Sequence, residues 1–518
     1  MILLGALVVF ASCSAPEPHP PTPPQSSRTA LPAPPRLAPA TITILYTADE
    51  HGWLLPTTEK GEVKGGAAEM LGRWVSVEGH CVGAACERGS TLALSGGDNW
   101  TGPAISSYFQ GVPVVEAMRR MGYAASAFGN HEFDFGRDQF LKNREAGGFA
   151  YLAANVELKP GMPADLKMPA FTIVERAGVK IGVVGLATES TTRTALASRF
   201  EGMTFTDEEE ALVRAIPEAW AAGPDALVLI AHECPEQLEP VVRRHPEWRL
   251  SFVGLGHCHK TFRGDVHGAP LIAPGWRMRS YARVRLAVDR NRPLRERVTG
   301  VEATLVDVTH PEGTPADKVK ADPELVANAT HWKKRLDDAL GQQIGFTASG
   351  FDHKSPELGR WIAESWRQEL GADIAIVNDG GVRQGVPSGP ITMATIYSVL
   401  PFDNRLLLLH VRGRDLIESL GNKETIVAGL VEKNKKRIVE RTKAPIDPDA
   451  SYSLATIDFL YFGGDGYRFQ AQDPNPKETG LDWRTPVIEW TRKLKTSTTT
   501  PLEKALKSPE AQRRAAKP

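Results

Sequence analysis

Long apolar stretches, excess charge of one sign and internal repeats are all missing from the body of this 518-residue chain. No internal stretch reaches the roughly 18 apolar residues that a membrane-spanning helix requires. The formal net charge of −1 argues against a nucleic-acid polymer or an anionic membrane surface as an electrostatic partner. The composition that remains, with 42% hydrophobic and 24% charged residues, is ordinary for a globular protein. The length predicts about two to four domains.

Five short apolar runs each end on residues that can bind metal ions. These residues are, in chain order, Asp49 and His51, then Asp98, then Asn130, His131 and Asp134, then His232, and finally His257 and His259. Short apolar runs of this kind predict buried strands. Ligands of α/β sheets gather beyond the carboxyl ends of the strands. We therefore expect these side chains to converge at one edge of one sheet.

Each residue also has an ordinary explanation. An Asp or Asn after a strand is often a turn former or a helix N-cap, and a His is often a core or surface residue. Five such coincidences at the same predicted edge are much less expected than one. When His131 and Asp134 are left aside, the other residues of these five motifs offer two carboxylates, one amide oxygen and four imidazoles. That is too many ligands for one tetrahedral zinc, and it suits two ions that share a carboxylate.

The order of these motifs resembles the 5′-nucleotidase branch of the calcineurin-like metallophosphoesterases. That family carries D-x-H, G-D, G-N-H-[ED], a lone H and G-H-x-H, which match Asp49–His51, Gly97–Asp98, Gly129–Glu132, His232 and Gly256–His259. The resemblance implies one metal held by Asp49, His51, Asp98 and His259. It implies a second metal held by Asp98, Asn130, His232 and His257, with Asp98 bridging.

The same resemblance leaves His131 for proton transfer, with Asp134 as its orienting partner. Two divalent ions can lower the pKa of a bridging water, position it in line and neutralise charge on a phosphoryl group. A separate His can then stabilise the transition state or protonate a leaving oxygen. The alternative for His131 is that it completes a helix N-terminus. The two ions would be zinc, manganese, iron or cobalt, which such a ligand set does not distinguish.

The N-terminal residues resemble a bacterial lipoprotein signal. Residues 1–13 are a short apolar segment that ends on a lipobox, Phe10–Cys13, and residues 14–40 are a proline-rich tether. Two departures are that no Lys or Arg precedes the apolar run and that Phe10 stands where Leu is usual. We expect an exported protein, periplasmic or on the cell surface, held on the membrane through a lipidated Cys13. An ordinary cleaved signal or a buried first strand are the alternatives.

Export would permit disulfides between the other four cysteines. Cys81 and Cys86 flank a short insertion and suit a local bridge. Cys234 and Cys258 lie in two ligand-bearing loops that must approach each other, so they would form a second bridge behind the site. The alternatives are that one thiol is a soft metal ligand or that both are inert. We expect no metal role for them because the ligand set is already complete.

The predicted fold is α/β with two domains. Residues 41–305 form the metallophosphoesterase domain, which the family resemblance predicts to be a β-sandwich flanked by helices. Residues 306–341 are a linker with a connecting helix at Pro323–Leu340. Residues 342–493 form a C-terminal 5′-nucleotidase substrate-binding α/β domain, joined to the first by a hinge near residues 341–353. Residues 494–518 are expected to be a disordered tail.

The second domain carries motifs that resemble the substrate-binding signatures of 5′-nucleotidases, namely NDGGVR, GPIT, LPFDN and DFLYFGGDGY. Arg383 would donate two parallel hydrogen bonds to a phosphate or carboxylate. Phe459 would stack on a flat base, and Asp465 would accept hydrogen bonds from ribose hydroxyls or a base edge. The ordinary alternatives are a surface ion pair for Arg383, a core position for Phe459 and a turn for Asp465.

One expected aromatic residue is missing. The family carries a second aromatic in F-x-N-x-S-G, but no Phe, Tyr or Trp occurs between His410 and Tyr452 here. Half of the base clamp is therefore absent, unless Tyr461 or Phe462 supplies it. The leading hypothesis is a two-metal hydrolase of small phosphate esters, most simply a 5′-nucleotidase-like nucleotide phosphatase. The alternatives are a 2′,3′-cyclic nucleotide phosphodiesterase, a sulfur-ester hydrolase of the same superfamily, and a non-catalytic binding lipoprotein. The intact ligand set with His131 argues against the last.

Overall fold

The strands of the first half of the chain form mainly two sheets. The computed structural model describes residues 37–83, 89–421, 425–433 and 435–507. Cys13, most of the predicted tether and residues 508–518 lie outside the described residues. The strands of the first half are β1 (Ala40–Thr47), β2 (Thr57–Glu59), β3 (Glu62–Lys64), β4 (Thr91–Ser95), β5 (Tyr123–Ala127), β6 (Ala150–Leu152), β7 (Val156–Leu158), β8 (Phe171–Arg176), β9 (Val179–Leu186), β10 (Met203–Phe205), β11 (Ala226–Ala231), β12 (Phe252–Leu255), β13 (Thr261–Val266), β14 (Ala269–Pro274), β15 (Ser280–Val288), β16 (Val298–Asp307) and β17 (Thr309–Pro311).

Helices cover the outer faces of these sheets. They are α1 (Ala67–Val77), α2 (Ala104–Ser107), α3 (Val112–Met121), α4 (Arg137–Gly147), α5 (Thr191–Thr194), α6 (Glu208–Ala221), α7 (Pro235–Arg244), α8 (Ala316–Val319) and α9 (Pro323–Leu340). Among the described residues, no helix is long and apolar enough to span a membrane.

The two large sheets form the predicted sandwich. Their strand orders are β16-β15-β1-β4-β5-β6 and β13-β14-β12-β11-β9-β8. Alternate residues of β1 show how the layers form, because Ile42, Ile44 and Tyr46 point into the core between the sheets. Leu45 points the other way, into the core beneath the helices. A strand that is buried on both faces reads as a continuous apolar run, which is the pattern that the sequence shows.

The strands that carry the candidate ligands run in the same direction within each sheet. β1, β4 and β5 are parallel neighbours, and so are β9, β11 and β12. Their carboxyl ends therefore meet at one edge of the sandwich, and the loops that follow β1, β4, β5, β11 and β12 lie there. This arrangement brings the predicted ligand residues together.

The connecting helix has the predicted bounds, Pro323–Leu340. Asp322 caps it, because the Asp322 side chain accepts a hydrogen bond of 2.9 Å from the backbone N–H of Leu325. Leu325, Trp332 and Leu336 recur at helical spacing and pack into the core of the first half. The helix is thus part of the first half rather than a free linker. β16 also continues to Asp307, so the predicted boundary at residue 305 falls inside a strand.

The second half holds a five-stranded sheet with the order β22-β19-β25-β21-β26. Its strands are β18 (Gln343–Thr347), β19 (Ile374–Asn378), β20 (Gly389–Thr392), β21 (Arg405–Arg412), β22 (Thr425–Ala428), β23 (Leu430–Lys433), β24 (Lys436–Val439), β25 (Ser451–Ile457) and β26 (Lys477–Asp482). Its helices are α10 (Pro356–Leu370), α11 (Met393–Val399), α12 (Gly413–Ser419), α13 (Asp458–Tyr461), α14 (Phe469–Gln472), α15 (Arg484–Leu494) and α16 (Leu502–Ala505). The described residues from Ala38 onward form one compact unit.

The prediction of a disordered tail from residue 494 is wrong for residues 494–507. Leu502 and Ala505 of α16 are fully buried against the core of the second half. The Glu503 carboxylate accepts hydrogen bonds from the Thr347 hydroxyl at 2.7 Å and from the Ser349 N–H at 2.8 Å. The sequence hides this contact because α16 is a single short turn that follows a run of Ser and Thr residues.

Candidate metal centre

The predicted ligand side chains lie in two overlapping groups at the shared edge of the sheets. The ligand atoms of the first group, Asp49, His51, Asp98 and His259, lie within 4.8 Å of one another. The second group, defined by the same limit, contains Asp98, His232 and His257. Asp98 belongs to both groups. That is the position that a carboxylate shared by two ions would need, and its bridging role stays a prediction.

In the first group, nitrogen and oxygen atoms face one another across a small gap. The Nε2 atoms of His51 and His259 are 2.8 Å apart. His259 Nε2 is 3.6 Å from Asp49 Oδ1, and His51 Nε2 is 3.7 Å from Asp98 Oδ2. In the second group, His232 Nε2 is 3.2 Å from Asp98 Oδ2 and 3.3 Å from His257 Nδ1.

The amide side chain predicted for the second group is also in place. Asn130 Oδ1 lies 3.0 Å from His232 Nε2. The far nitrogens of two rings are held by carbonyl groups, because His51 Nδ1 donates to Thr101 O and His232 Nδ1 donates to Gly96 O, both at 2.8 Å. Each ring then directs its Nε2 atom into the cluster, as metal-binding imidazoles do. Lone pairs and carboxylate oxygens that converge in this way fit divalent cations.

The backbone at the ligand residues is strained. Asp49, His51, Asp98, His257 and His259 have φ values of 53°, 45°, 59°, 69° and 54°. A non-glycine residue in this region costs on the order of 1–3 kcal/mol and persists only where its surroundings hold it. Backbone amides provide that support, because His257 N–H donates to Asp49 Oδ1 at 3.0 Å and His131 N–H donates to Asp98 Oδ1 at 2.9 Å.

Three of the four ligand imidazoles are neutral at neutral pH. Burial, followed by the nearby Arg383 guanidinium, holds the pKa of His51 well below its usual range and lowers the pKa of His259 to about 2. Burial and the neighbouring His232 lower the pKa of His257 to about 4. For His232, burial opposes the charged form, but Asp98 and Asp49 outweigh it and raise the pKa to about 10. A cation in the cluster would compete with that proton.

The predicted proton-transfer pair lies beside the cluster. His131 Nδ1 donates to Asp134 Oδ2 at 2.9 Å, and the two side chains are 12% and 10% exposed. Both residues line a cavity of about 190 Å³ that also touches Asp98, His257 and His259. This position leaves the other ring nitrogen of His131 available to a molecule in the cavity.

All three predicted substrate-binding residues line the same cavity. Arg383 Nη2 donates to His51 Nε2 at 3.1 Å, so Arg383 is not a surface ion pair. Asp465 Oδ2 accepts a hydrogen bond of 2.9 Å from Asn378 Nδ2. The backbone of Asp465 is left-handed, with a φ of 50°. Phe459 is partly buried and forms one wall of the cavity.

The residues considered as substitutes for the missing aromatic are elsewhere. Tyr461 is buried and donates its hydroxyl to Asp473 O at 3.1 Å. Phe462 is 47% exposed to solvent. Neither belongs to the cavity lining, which includes Phe402 besides Phe459, together with Leu196 and Arg199 from the first half of the chain.

Cys234 and Cys258 form a disulfide with a Cα–Cα distance of 5.4 Å. Of the alternatives for this pair, the bridge is thus the one that the structure contains, and the two thiols are not metal ligands. Cys81 is also disulfide-bonded, and Cys86, its expected partner, lies outside the described residues.

Sequence reasoning missed the residues behind the cluster. Glu50 is fully buried and accepts hydrogen bonds from Ser95 Oγ and Asn99 Nδ2, both at 2.9 Å. Glu132 Oε1 accepts a hydrogen bond of 3.0 Å from the Asp98 N–H. The ring of Trp276 stacks on His259 with a centroid distance of 4.5 Å and an angle of 7°. The two carboxylates sit inside the ligand motifs, which is a usable signal, whereas nothing in the sequence marks Trp276.

Comparisons with known proteins point in one direction. Residues 335–472 match the family described as 5′-nucleotidase, C-terminal domain. The chain is 26% identical over 416 residues to the endonuclease YhcR of Bacillus subtilis, covering 72% of this chain and 33% of that protein. It is 24% identical over 500 residues to the 5′-nucleotidase of Vibrio cholerae, covering 85% of this chain and 88% of that protein. The chain therefore spans about a third of YhcR and most of the V. cholerae protein.

The fold is shared with a solved structure as well. The crystal structure of a 5′-nucleotidase precursor from Thermus thermophilus matches with a TM-score of 0.74 at 21% sequence identity, covering 88% of this chain and 97% of that chain. A sandwich with a ligand cluster at its edge, followed by a second α/β half, is thus the two-domain fold that this chain shares with that structure. In sequence the chain is similar to 5′-nucleotidases, and residues 335–472 match the model of their C-terminal domain.

Proposed function

We propose that the protein is a metal-dependent phosphoric ester hydrolase that removes the phosphate from nucleotide-like monoesters, as a 5′-nucleotidase does. The observation that carries this proposal is the cavity, in which two ligand groups that share Asp98 lie next to His131 and Arg383. A protein that only binds a ligand needs no such combination of shared carboxylate, free imidazole and guanidinium. The names of the relatives support the same reaction class.

The two metal ions would be held by the residues of the two ligand groups. Asp49, His51, Asp98 and His259 would hold one ion, and Asp98, Asn130, His232 and His257 would hold the other. Two divalent ions in these positions supply Lewis-acid chemistry, which polarises a phosphoryl group and makes a water molecule more acidic. Zinc, manganese, iron and cobalt are all compatible with this donor set.

The protein's own side chains would do the remaining work. Arg383, which reaches the cluster from the second half, would hold and orient the phosphoryl oxygens. His131 would donate a proton to the oxygen of the leaving group, and Asp134 would keep its imidazole in the required tautomer. Phe459 would provide a stacking surface for a base, and Asp465 would accept hydrogen bonds from the sugar.

A substrate panel tests this proposal. Purified protein reloaded with each of the four metals is assayed with AMP, a 2′,3′-cyclic nucleotide, a sulfur ester and p-nitrophenyl phosphate. We expect metal-dependent release of phosphate from AMP and from p-nitrophenyl phosphate. Turnover of simple esters without nucleotides would contradict the nucleotide assignment. A folded, metal-loaded protein that hydrolyses no ester would contradict the enzyme assignment.

We also infer that the protein is exported and anchored through a lipidated Cys13, on the basis of the lipobox-like residues and the proline-rich segment that follows them. Replacing Cys13 by Ser removes the thiol that would carry the lipid. We expect Cys13→Ser to shift the protein from the membrane fraction to the soluble fraction, with Cys81→Ser as the control. Wild-type protein that is exported but stays soluble would contradict the anchor.

A further inference from the structure

The loop after β14, residues Gly275–Met278, contacts two of the candidate metal ligands. The Trp276 ring lies flat against the ligand His259, with centroids 4.5 Å apart. The backbone N–H of Arg277 donates to the carbonyl of the ligand Asp49 at 2.9 Å. The loop is therefore tied both to the strand-end loop that carries Asp49 and to the loop that carries His259.

The side chain of Arg277 is held between two indole rings. Its guanidinium carbon lies 3.5 Å from the ring centroid of Trp276 and 4.6 Å from that of Trp53. Contacts between a guanidinium and an indole are attractive, and two of them restrict the side chain to one position. Arg277 and Met278 also have left-handed backbone conformations, with φ values of 64° and 52°, which a non-glycine residue keeps only where the surroundings enforce them.

The held guanidinium reaches across to the second half of the chain. Arg277 Nη2 donates to the backbone carbonyl of Arg383 at 3.0 Å. Arg383 N–H donates to Val399 O at 2.8 Å, and His353 Nε2 lies 2.7 Å from Val382 O. Arg277 is thus the contact by which the first half fixes the backbone of the residue whose own guanidinium reaches the cluster.

We propose that Arg277 is a positioning residue that holds Arg383 at the metal cluster and acts on substrate only through it. The proposal rests on the proposed phosphatase function for its kinetic test. Arg277 does not line the substrate cavity, whereas Arg383 does. Misplacing a substrate-holding group by about 1 Å can cost up to roughly 100-fold in rate. The loss of one of several backbone contacts is expected to cost less than that.

A double-mutant cycle with the full chain tests the inference. The single variants are Arg277→Asn, chosen because Asn tolerates a left-handed backbone, and Arg383→Ala, and they are combined in one double variant. The matched control is Arg279→Asn, because Arg279 pairs with Glu59 and donates to Thr57 Oγ1 at 3.0 Å rather than contacting Arg383. Each variant is first checked for its melting temperature and its metal content.

We expect Arg277→Asn to lower kcat/KM for p-nitrophenyl phosphate by about 10-fold, mainly through KM, at unchanged metal content. In the Arg383→Ala background the same change should alter kcat/KM by less than about twofold. Arg277→Lys should recover part of the loss, since an ammonium can donate to the carbonyl but does not stack as a guanidinium does. Arg279→Asn should leave kcat/KM unchanged.

Calorimetric titration of the metal-loaded variants with inorganic phosphate gives a readout without turnover. We expect weaker phosphate binding for Arg277→Asn only where Arg383 is intact. Equal losses in both backgrounds, a loss of metal from Arg277→Asn, or no effect of Arg277→Asn would each overturn the inference. A wild type that binds phosphate but hydrolyses no ester would contradict the proposed function, while the phosphate titrations would still test the role of Arg277.

Discussion

The ring of Phe402, from the second half of the chain, lies on the ring of His131, from the first half, with centroids 5.2 Å apart and an angle of 26°. The Nδ1 edge of the His131 imidazole is fixed by its hydrogen bond to Asp134. The proton-transfer pair is therefore completed by both halves of the chain. The contact also covers one face of the imidazole and leaves its free nitrogen toward the cavity.

His131→Ala should lower turnover by about 100-fold while the metal content stays near normal. The physical reason is that the His131 side chain contacts Asp134 and Phe402, whereas its support of Asp98 comes from the backbone N–H, which alanine keeps. Steady-state kinetics with metal analysis of the same preparation measures both quantities. If the variant instead empties the site, the division between ligand and proton-transfer roles is wrong.

Asp98→Asn should abolish activity and reduce bound metal. Asp98 is the one residue that belongs to both ligand groups, and a neutral amide is a poor bridge between two dications. Asp465→Asn is the matched control, because Asp465 lines the same cavity outside the ligand groups and should keep its metal. Elemental analysis measures the metal content of both variants. Two tightly bound ions in Asp98→Asn would contradict the bridging role.

The disulfide should stabilise both the fold and the metal site. The bond joins the loop after His232 to the residue between His257 and His259 across a sequence separation of 24. A bond that closes a loop of that length lowers the entropy of the unfolded chain and thereby stabilises the fold by roughly 3 kcal/mol. We expect Cys234→Ser combined with Cys258→Ser to lower the free energy of unfolding by about that amount and to weaken metal binding.

Urea denaturation and competition with a chelator measure the two effects of removing this disulfide. Cys81 is also disulfide-bonded and lies outside the ligand loops, so Cys81→Ser should cost stability without changing metal affinity. Equal metal affinity in the Cys234→Ser/Cys258→Ser variant and the wild type would show that the ligand loops hold their positions without the bond.

Much of the site follows from the sequence because its ligands are local. Asp98 stands three residues after the end of β4 and His257 two residues after the end of β12, and both strands are buried, so the topology brings the two residues together. The helix at Pro323–Leu340 was predictable from its Asp322 cap and its periodic apolar face. The contact of Arg277 with Arg383 was not predictable, because it joins residues 106 positions apart through two indole rings that no motif marks.

A pair of acidic residues behind His232 should make stability depend on pH. Burial, followed by a hydrogen bond to Glu233, raises the pKa of Glu208 to about 9, whereas the unfolded value is about 4.5. The folded state therefore binds the extra proton between these values, and stability should fall as the pH rises through this window. The pKa of Glu233 is lowered, so its contribution changes only in acid.

Glu208→Gln keeps a hydrogen-bond donor at this position without a titrating proton. We expect the wild type to lose stability relative to Glu208→Gln between pH 6 and pH 8.5, as measured by urea denaturation at several pH values. Glu210→Gln, on the exposed side of α6, is the control. Parallel pH profiles for the wild type and Glu208→Gln would show that Glu208 is ionised in the folded protein.

The cavity that Phe459 and Phe402 line also carries Arg199, from the first half of the chain. The Arg199 guanidinium also favours the ionised form of Asp458, from the second half. A guanidinium can stack on a base or donate to its edge, although it offers less surface than a ring. Because the aromatic of the F-x-N-x-S-G motif is missing from the sequence, we expect a high KM for mononucleotides and a weak preference for purines over pyrimidines.

Arg199→Ala should therefore raise KM for AMP by about 5- to 10-fold and leave KM for p-nitrophenyl phosphate nearly unchanged, because the simple ester has no base to contact. Arg383→Ala should impair both substrates, and more severely than Phe459→Ala, because it acts on the phosphate that they share. Arg193→Ala, an exposed arginine of α5 outside the cavity, is the matched control. A sub-micromolar KM for AMP that is lost in Phe459→Ala and unaffected in Arg199→Ala would show that Phe459 holds the base without help from the first half.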